Sequence, residues 1–160
     1  MDGQLSQNAQ RIQDALNESG LQLEVVELPD STRTALEAAQ AIGCHVEQIV
    51  KSLIFKAKRT KVPVLVLTSG ANRVDERKIE ALIGEPLGRA EAEFVKQISG
   101  FSIGGVPPIG HRQEIETYID EDLMKHEYVW AAAGTPHAVF QISSINLVNL
   151  TGGKVADVKR

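Results

Sequence analysis

Two apolar runs, Ile49 to Ala57 and Val62 to Thr68, flank the basic tetrapeptide Lys58-Arg59-Thr60-Lys61, and no other feature limits the fold as much. Both runs are rich in β-branched and large aliphatic residues and have the length of strands. Four polar residues between them suffice for a reversal, so the pattern predicts a β-hairpin with a basic tip. Neither run approaches the roughly 20 residues that cross a bilayer, so no transmembrane segment is expected.

Around this hairpin the chain punctuates itself. Leu5, Ala9, Ile12 and Leu16 recur at helical spacing before Gly20, which predicts an amphipathic helix over 5–18. A β-rich run over 22–28 ends at Pro29. Thr34 followed by Glu37 forms a capping-box pattern for a helix from Ala35 to Ile42, closed by Gly43. Further helices are expected over Glu76 to Leu82, Ala90 to Ile98, and from Ser143 or Ser144 to Leu150. Strands are expected over Glu116 to Ile119, Tyr128 to Ala132, Ala138 to Ile142, and Val155 to Val158 at an edge. The segment Phe101 to His111 is too rich in Gly and Pro to be regular. Its apolar Phe101, Ile103, Val106 and Ile109 need a core to rest on, which predicts an ordered loop. Strands and helices are interspersed without a helix between every pair of strands, so a mixed α/β (α+β) fold follows, a sheet with flanking helices.

The 160 residues, 42% hydrophobic and 24% charged, suit one soluble globular domain over 1–160. A formal net charge of −4 excludes a polycation that coats nucleic acid in bulk, so any nucleic-acid contact must be local. The lone Cys44 excludes an internal disulfide and a cysteine-built zinc cage, and the four His residues include no pair at i, i+4 spacing. No metal and no cofactor are expected. Met1 to Ser19 lacks the basic and apolar regions of a signal peptide, and a reducing, cytoplasmic setting is the simplest fit.

Three places could carry chemistry. Lys51 lies inside a strand; with Val50, Ser52 and Ile54 on one face, it points the other way with Leu53 and Phe55. It either reaches the mouth of a pocket or snorkels from an edge strand. Gly104-Gly105-Val106-Pro107-Pro108 is a rigid loop whose amides could approach a phosphate, a ribose or an oxyanion, or a tight structural turn. Gly134-Thr135-Pro136-His137 follows three alanines that leave room for a pocket wall or for close packing. His111 and His137 each follow one of these loops as possible acids, bases or donors, or as plain solvated side chains. Cys44 beside His45 is discounted as a nucleophile, because adjacent residues rarely aim at each other. No Walker-type loop and no Gly-x-Ser-x-Gly elbow is present.

Taken together, Thr34 to Ala39, Ile49 to Phe55, Gly70 to Lys78, Gly100 to His111 and Ala132 to His137 resemble the YbaK/ProX family, free-standing relatives of the editing domain of bacterial prolyl-tRNA synthetases. The resemblance runs from about Val25 to Leu150. It implies a barrel-like mixed sheet surrounded by helices. It also implies a trans-acting deacylase that hydrolyses the ester between a wrong amino acid and the 3′-terminal adenosine of a tRNA, with tRNA(Pro) the expected one. Lys51 matches the family's essential lysine, and Gly104, Gly105 and Pro108 fall in its Gly-x-x-x-Pro loop. Thr34, Ser52, Gly134 and His137 fall in segments that would bind substrate. The resemblance further implies that a water or the adenosine 2′-hydroxyl attacks the ester, with loop amides holding the oxyanion and the lysine ordering phosphate or ribose. The cysteine-specific branch carries Ser-Ala-Gly followed by arginines where this chain has Ala132-Ala133-Gly134-Thr135. Alanine and 2-aminobutyrate therefore stand beside cysteine as the expected amino acid. Prolyl-tRNA synthetase is an implied partner. A non-catalytic tRNA-binding or synthetase-associated module, using the basic tip Lys56 to Lys61, and a small-molecule binder stay open as other readings.

Overall fold

The computed structural model describes residues 4–160, so the first three residues of the expected 1–160 unit lie outside the described residues. Helix α1, Gln7–Glu18, buries Ala9, Ile12 and Leu16. Strand β1 is only Val25–Glu27, shorter than the 22–28 expected. The Gln13 carboxamide explains the loss, since it donates to Leu23 C=O and accepts from Val25 N–H, both at 2.8 Å, in place of a strand partner.

Helix α2, Ala35–Ile42, has the expected reciprocal cap. Thr34 Oγ1 accepts from Glu37 N–H at 3.1 Å, the Glu37 carboxylate accepts from Thr34 N–H at 3.3 Å, and Gly43 closes the helix at φ +85°. The hairpin follows as β2, Ile49–Ala57, and β3, Pro63–Ser69. Helix α3, Glu76–Ile83, starts from Asp75, whose carboxylate accepts from Arg77 N–H at 3.0 Å. A short β4, Leu87–Arg89, then takes residues that carry no periodic signal, and α4, Ala92–Ser99, begins two residues later than expected. Strands β5, Glu116–Asp120, β6, Tyr128–Ala132, and β7, Ala138–Ser143, precede α5, Ser144–Thr151, which Ser143 caps. Strand β8 is Lys154–Ala156. Val158 lies beyond it and accepts from Asp75 N–H instead of extending the edge.

The eight strands form one mixed sheet in the order β1-β7-β6-β2-β3-β5-β8, with β4 also on β2. β2 pairs antiparallel with β3 and β4 but parallel with β6, while β3/β5 and β5/β8 are parallel. Alternation along the strands sends two sets of apolar side chains to opposite faces. Val50, Ile54, Leu65, Leu67, Ile119, Val129, Phe140 and Ile142 pack with α1, α4 and α5, and Phe101, Val106 and Ile109 of the Gly/Pro loop join them. Val64, Val66 and Tyr118 pack against Ile79 of α3, and Ile49 and Trp130 against Ala38 and Ala39 of α2. Ile103 is the exception to the expected ordered-loop core. It is 58% exposed.

The parallel and antiparallel neighbours of β2 share one edge without meeting. β6 covers Ile49 and Val50, and β4 covers Phe55 to Ala57. Lys51 to Ile54 have no strand opposite them on that side, which leaves a slot through the sheet.

Candidate functional site in the slot beside β2

The phase of the hairpin decides which backbone groups face the slot. Gly70 N–H donates to Ile49 C=O at 2.7 Å and Ala57 N–H to Val62 C=O at 2.9 Å. The odd-numbered residues of β2 therefore bond to β3, and the even-numbered ones turn their backbone groups away. Val50 meets β6 and Lys56 meets β4, so the N–H and C=O of Ser52 face the slot. The Ser52 hydroxyl is buried without a hydrogen-bond partner among the described residues.

The slot opens into a cavity of about 620 Å³. Because it passes through the sheet, its lining comes from both faces: Lys51, Leu53 and Trp130 from one, Ser52, Ile54 and Ala131 from the other. Thr34, Ala35 and Leu36 of α2 border it on one side, Ile103, Gly104 and Val106 on another. No Asp, Glu, His or Cys is among the lining residues. Among the described residues no group of three or more His, Cys, Asp or Glu is placed to hold a metal ion. What the cavity offers is hydroxyls, backbone amides and two cationic side chains, Lys51 and Arg33, with alanines making much of the wall.

Lys51 stands at the end where β2 meets the loop after β3. Its Nζ donates to Asn72 C=O at 2.6 Å. Burial is the main cause that lowers its pKa below the usual lysine value; Arg73 adds to the effect and Asp120 opposes it. An ammonium has three donors, and one is spent on Asn72.

Thr34, Lys51, Ser52 and Gly104 thus share one cavity, whereas Gly105, Pro108, Gly134 and His137 do not line it. Gly105 and Gly134 form a brace behind the wall, and Pro108 and His137 lie in the same two loops. Gly134 N–H donates to Gly105 C=O at 2.9 Å. A Cβ on Gly105 would stand 2.8 Å from Thr135 Cα, and one on Gly134, at φ +94°, 2.9 Å from Asn8 O. Pro108 is buried, and Thr32 Oγ1 donates to Pro136 C=O at 2.8 Å, which ties the segment before α2 to the same brace. His137 is exposed, its Nδ1 3.2 Å from Asp30 O. His111 holds the end of the Gly/Pro loop, with Nε2 2.7 Å from Pro107 O. Burial lowers the His111 pKa, so the neutral ring donates from Nε2.

Sequence reasoning missed Arg33, Leu36, Ile103 and Trp130 as parts of this cavity. The Arg33 stem lies against Gly104, where an added Cβ would meet its Cγ at 2.9 Å. Trp130 had a signal: it alternates with Val129 and Ala131 in β6 and so had to face away from the larger core.

A family model described as the aminoacyl-tRNA editing domain matches residues 29–150. Among curated relatives, the YwhH protein of Bacillus subtilis (strain 168) is 28% identical over 132 residues, 82% of this chain and 83% of that protein. A proline–tRNA ligase of Bacillus licheniformis is 32% identical over 135 residues, 81% of this chain but only 23% of the ligase. Among solved structures, that of a candidate trans-editing enzyme for prolyl tRNA synthetase superposes with a TM-score of 0.93 at 51% identity, covering 98% of this chain and 99% of that one. Among the described residues no helix is long and apolar enough to cross a membrane. The slot, its lysine and its glycine loop therefore sit in a chain that belongs to the aminoacyl-tRNA editing domain family, whose members are deacylases of mischarged tRNA related to the editing part of prolyl-tRNA synthetases.

Proposed function

We propose that the protein acts in trans, in the cytoplasm, on the 3′-terminal adenosine of tRNA(Pro) carrying a small wrong amino acid: alanine, cysteine or 2-aminobutyrate. The observation that carries this reading is that Lys51 shares a cavity walled by Ala35, Ala38, Ala90, Ala131 and Ala132 with Ser52, whose hydroxyl has no partner among the described residues and whose backbone faces a stretch of the edge with no strand opposite. Ser52 C=O can accept from the α-ammonium of the aminoacyl group, and its N–H or the Gly104 amide can donate to the ester carbonyl. Lys51, with two donors free, suits a phosphate or ribose oxygen of the terminal nucleotide.

The family resemblance implies attack by water or by the adenosine 2′-hydroxyl; the latter moves the acyl group to the 2′-oxygen, from which water must still release it, and no carboxylate, imidazole or thiol lines the cavity to act as a protein base. For hydrolysis, the water oxygen bonds to the ester carbon, the bond to the 3′-oxygen breaks, and the proton ends on that oxygen. The protein supplies placement and charge stabilisation. Gly105, Pro108, Gly134 and His137 serve by holding the Gly104 loop rather than by touching substrate. Alanine walls make selection steric, and each methylene of the amino acid is worth about 1–3 kcal/mol of discrimination.

The test is a deacylation panel of Ala-, Cys-, Ser- and 2-aminobutyryl-tRNA(Pro) with wild type and Lys51→Ala. Rapid loss of at least one small aminoacyl group, abolished in Lys51→Ala, is expected. Tight tRNA binding with no deacylation of any member would overturn the reading in favour of a binding module.

A further inference from the structure

Lysine is a flexible four-carbon stem with a compact charge at its end, so a functional lysine needs something to fix where the charge stands. Here that acceptor is a main-chain carbonyl in the irregular loop from Gly70 to Asp75. The loop cannot fix Lys51 unless it is itself held, and the structure shows what holds it.

The Asn72 side-chain amide spends both hydrogens on carboxylates, donating to Asp120 Oδ2 at 2.8 Å and to Asp122 Oδ2 at 2.9 Å. Asp120 is fully buried. It also accepts from Thr68 Oγ1 and Ser69 N–H at 3.0 Å and from Asp122 N–H at 2.9 Å. Thr68 is the residue opposite Lys51 in the hairpin. Asp122 in turn receives Lys159 Nζ at 2.5 Å and Lys125 Nζ at 3.0 Å. Lys159 is bridged to Val74, and Arg160 N–H donates to Arg73 C=O at 3.0 Å. A contiguous chain of hydrogen bonds thus runs from Lys159 through Asp122 and Asn72 to Lys51, and of these residues only Lys51 lines the cavity.

We propose that Asn72, gripped by Asp120 and Asp122 and braced through Lys159, is the positioning residue that sets where the Lys51 ammonium stands in the slot. None of these four need touch substrate. The catalytic part rests on the proposed function above, in which Lys51 meets the tRNA end; the positioning part does not. The charged groups that act on Lys51 are Arg73 and Asp120, and they oppose one another. Moving the loop changes both influences at once, which gives a readout that a merely structural role would leave alone.

The experiment follows the Lys51 side chain directly, by ¹³Cε titration of lysine-labelled full-length protein, alongside single-turnover deacylation by wild type, Asn72→Ala, Lys159→Met and Asp120→Asn. Asp120→Asn removes a neighbouring negative charge, so the Lys51 midpoint is expected to fall. Asn72→Ala and Lys159→Met are expected to shift the Lys51 ¹³Cε signal. Asn72→Ala slows the single-turnover rate by about ten- to a hundredfold with little change in tRNA affinity, as a small misplacement of a working group does. Lys159→Met, at a partly exposed ion pair, slows it several-fold in a fully folded protein. Unmoved Lys51 signals in folded Asn72→Ala and Lys159→Met overturn the proposal, whatever the activity. A wild type that deacylates nothing, with Lys51 signals that shift as stated, overturns the functional reading and leaves the positioning role standing.

Discussion

Replacing Gly105 by alanine tests whether the two glycine loops brace one another as tightly as the distances indicate. The added Cβ would stand 2.8 Å from Thr135 Cα and 2.9 Å from both Thr135 C and N, where ordinary contact begins at 3.4 Å. All three atoms are backbone, so no side chain can swing aside, and the loops must part by about half an ångström. The Gly134 N–H to Gly105 C=O bond of 2.9 Å joins the same two loops and is weakened or lost with that movement. Overpacking a buried site costs about 1–3 kcal/mol, and a lost backbone hydrogen bond about 1 kcal/mol more, giving a destabilisation of about 2–4 kcal/mol. Urea unfolding reads it as a lower midpoint at unchanged slope. The deacylation rate should fall too, because Gly104 carries the amide proposed to face the ester and is bonded to Gly105. A Gly105→Ala protein with wild-type midpoint and wild-type rate would refute the brace.

Two other perturbations have clear signs. His111 has a folded pKa below its unfolded value of about 6.5, so the unfolded chain binds more protons as pH falls; its contribution is intact above about pH 6.5 and is lost as pH drops through the folded pKa. Urea midpoints at pH 7.5 and pH 5 should therefore differ by less in His111→Gln than in wild type, and an equal difference would show that the ring is not what titrates. Thr34→Ala removes the side-chain acceptor of the α2 capping box and should cost about 1 kcal/mol of stability, read by thermal melting, with unchanged stability arguing against the cap.

Local chemistry made much of the fold legible. The α2 cap and the hairpin follow from neighbours within a few residues and appear as read, and of the two serines that could open α5 it is Ser143 that caps it. The placement of Lys51 with Leu53 and Phe55, opposite Val50 and Ile54, needed only the strand period. What stayed hidden depends on partners far away in the chain. The slot exists because the pairing of β2 with β6 ends at Val50 opposite Ala131 and its pairing with β4 starts only at Phe55 opposite Arg89, and nothing within β2 announces either limit. Strand β4 itself, Leu-Gly-Arg, is too short for any periodicity. The glycines of 105 and 134 read as ligand loops because a φ above zero or a close approach looks the same from sequence whether the visitor is a phosphate or another loop. Ile103 read as core for a similar reason, since apolar character does not say which side of a loop faces solvent.

The gap beside β2 is also where folding and function pull apart. A continuous sheet would have paired the Ser52 N–H and C=O, and an apolar or hydrogen-bonded side chain would have avoided the orphaned hydroxyl. A buried polar group without a partner costs about 1–3 kcal/mol, so leaving Ser52 unpaired is a standing destabilisation unless water or a ligand answers it. Half-burying Lys51 is a second cost, since burial disfavours the charged form. The two costs fall on adjacent residues and call for complementary things: an acceptor for the Ser52 N–H, a donor for its C=O, and an anionic or hydroxyl oxygen for the ammonium. An aminoacyl ester on a terminal nucleotide carries all three within one small region: an ester carbonyl, an α-ammonium, and ribose and phosphate oxygens. A free amino acid lacks the ribose and phosphate, and a free nucleotide lacks the ammonium. Each part alone should therefore bind much more weakly than the joined molecule, and release after the ester breaks follows from the same arrangement that captures it.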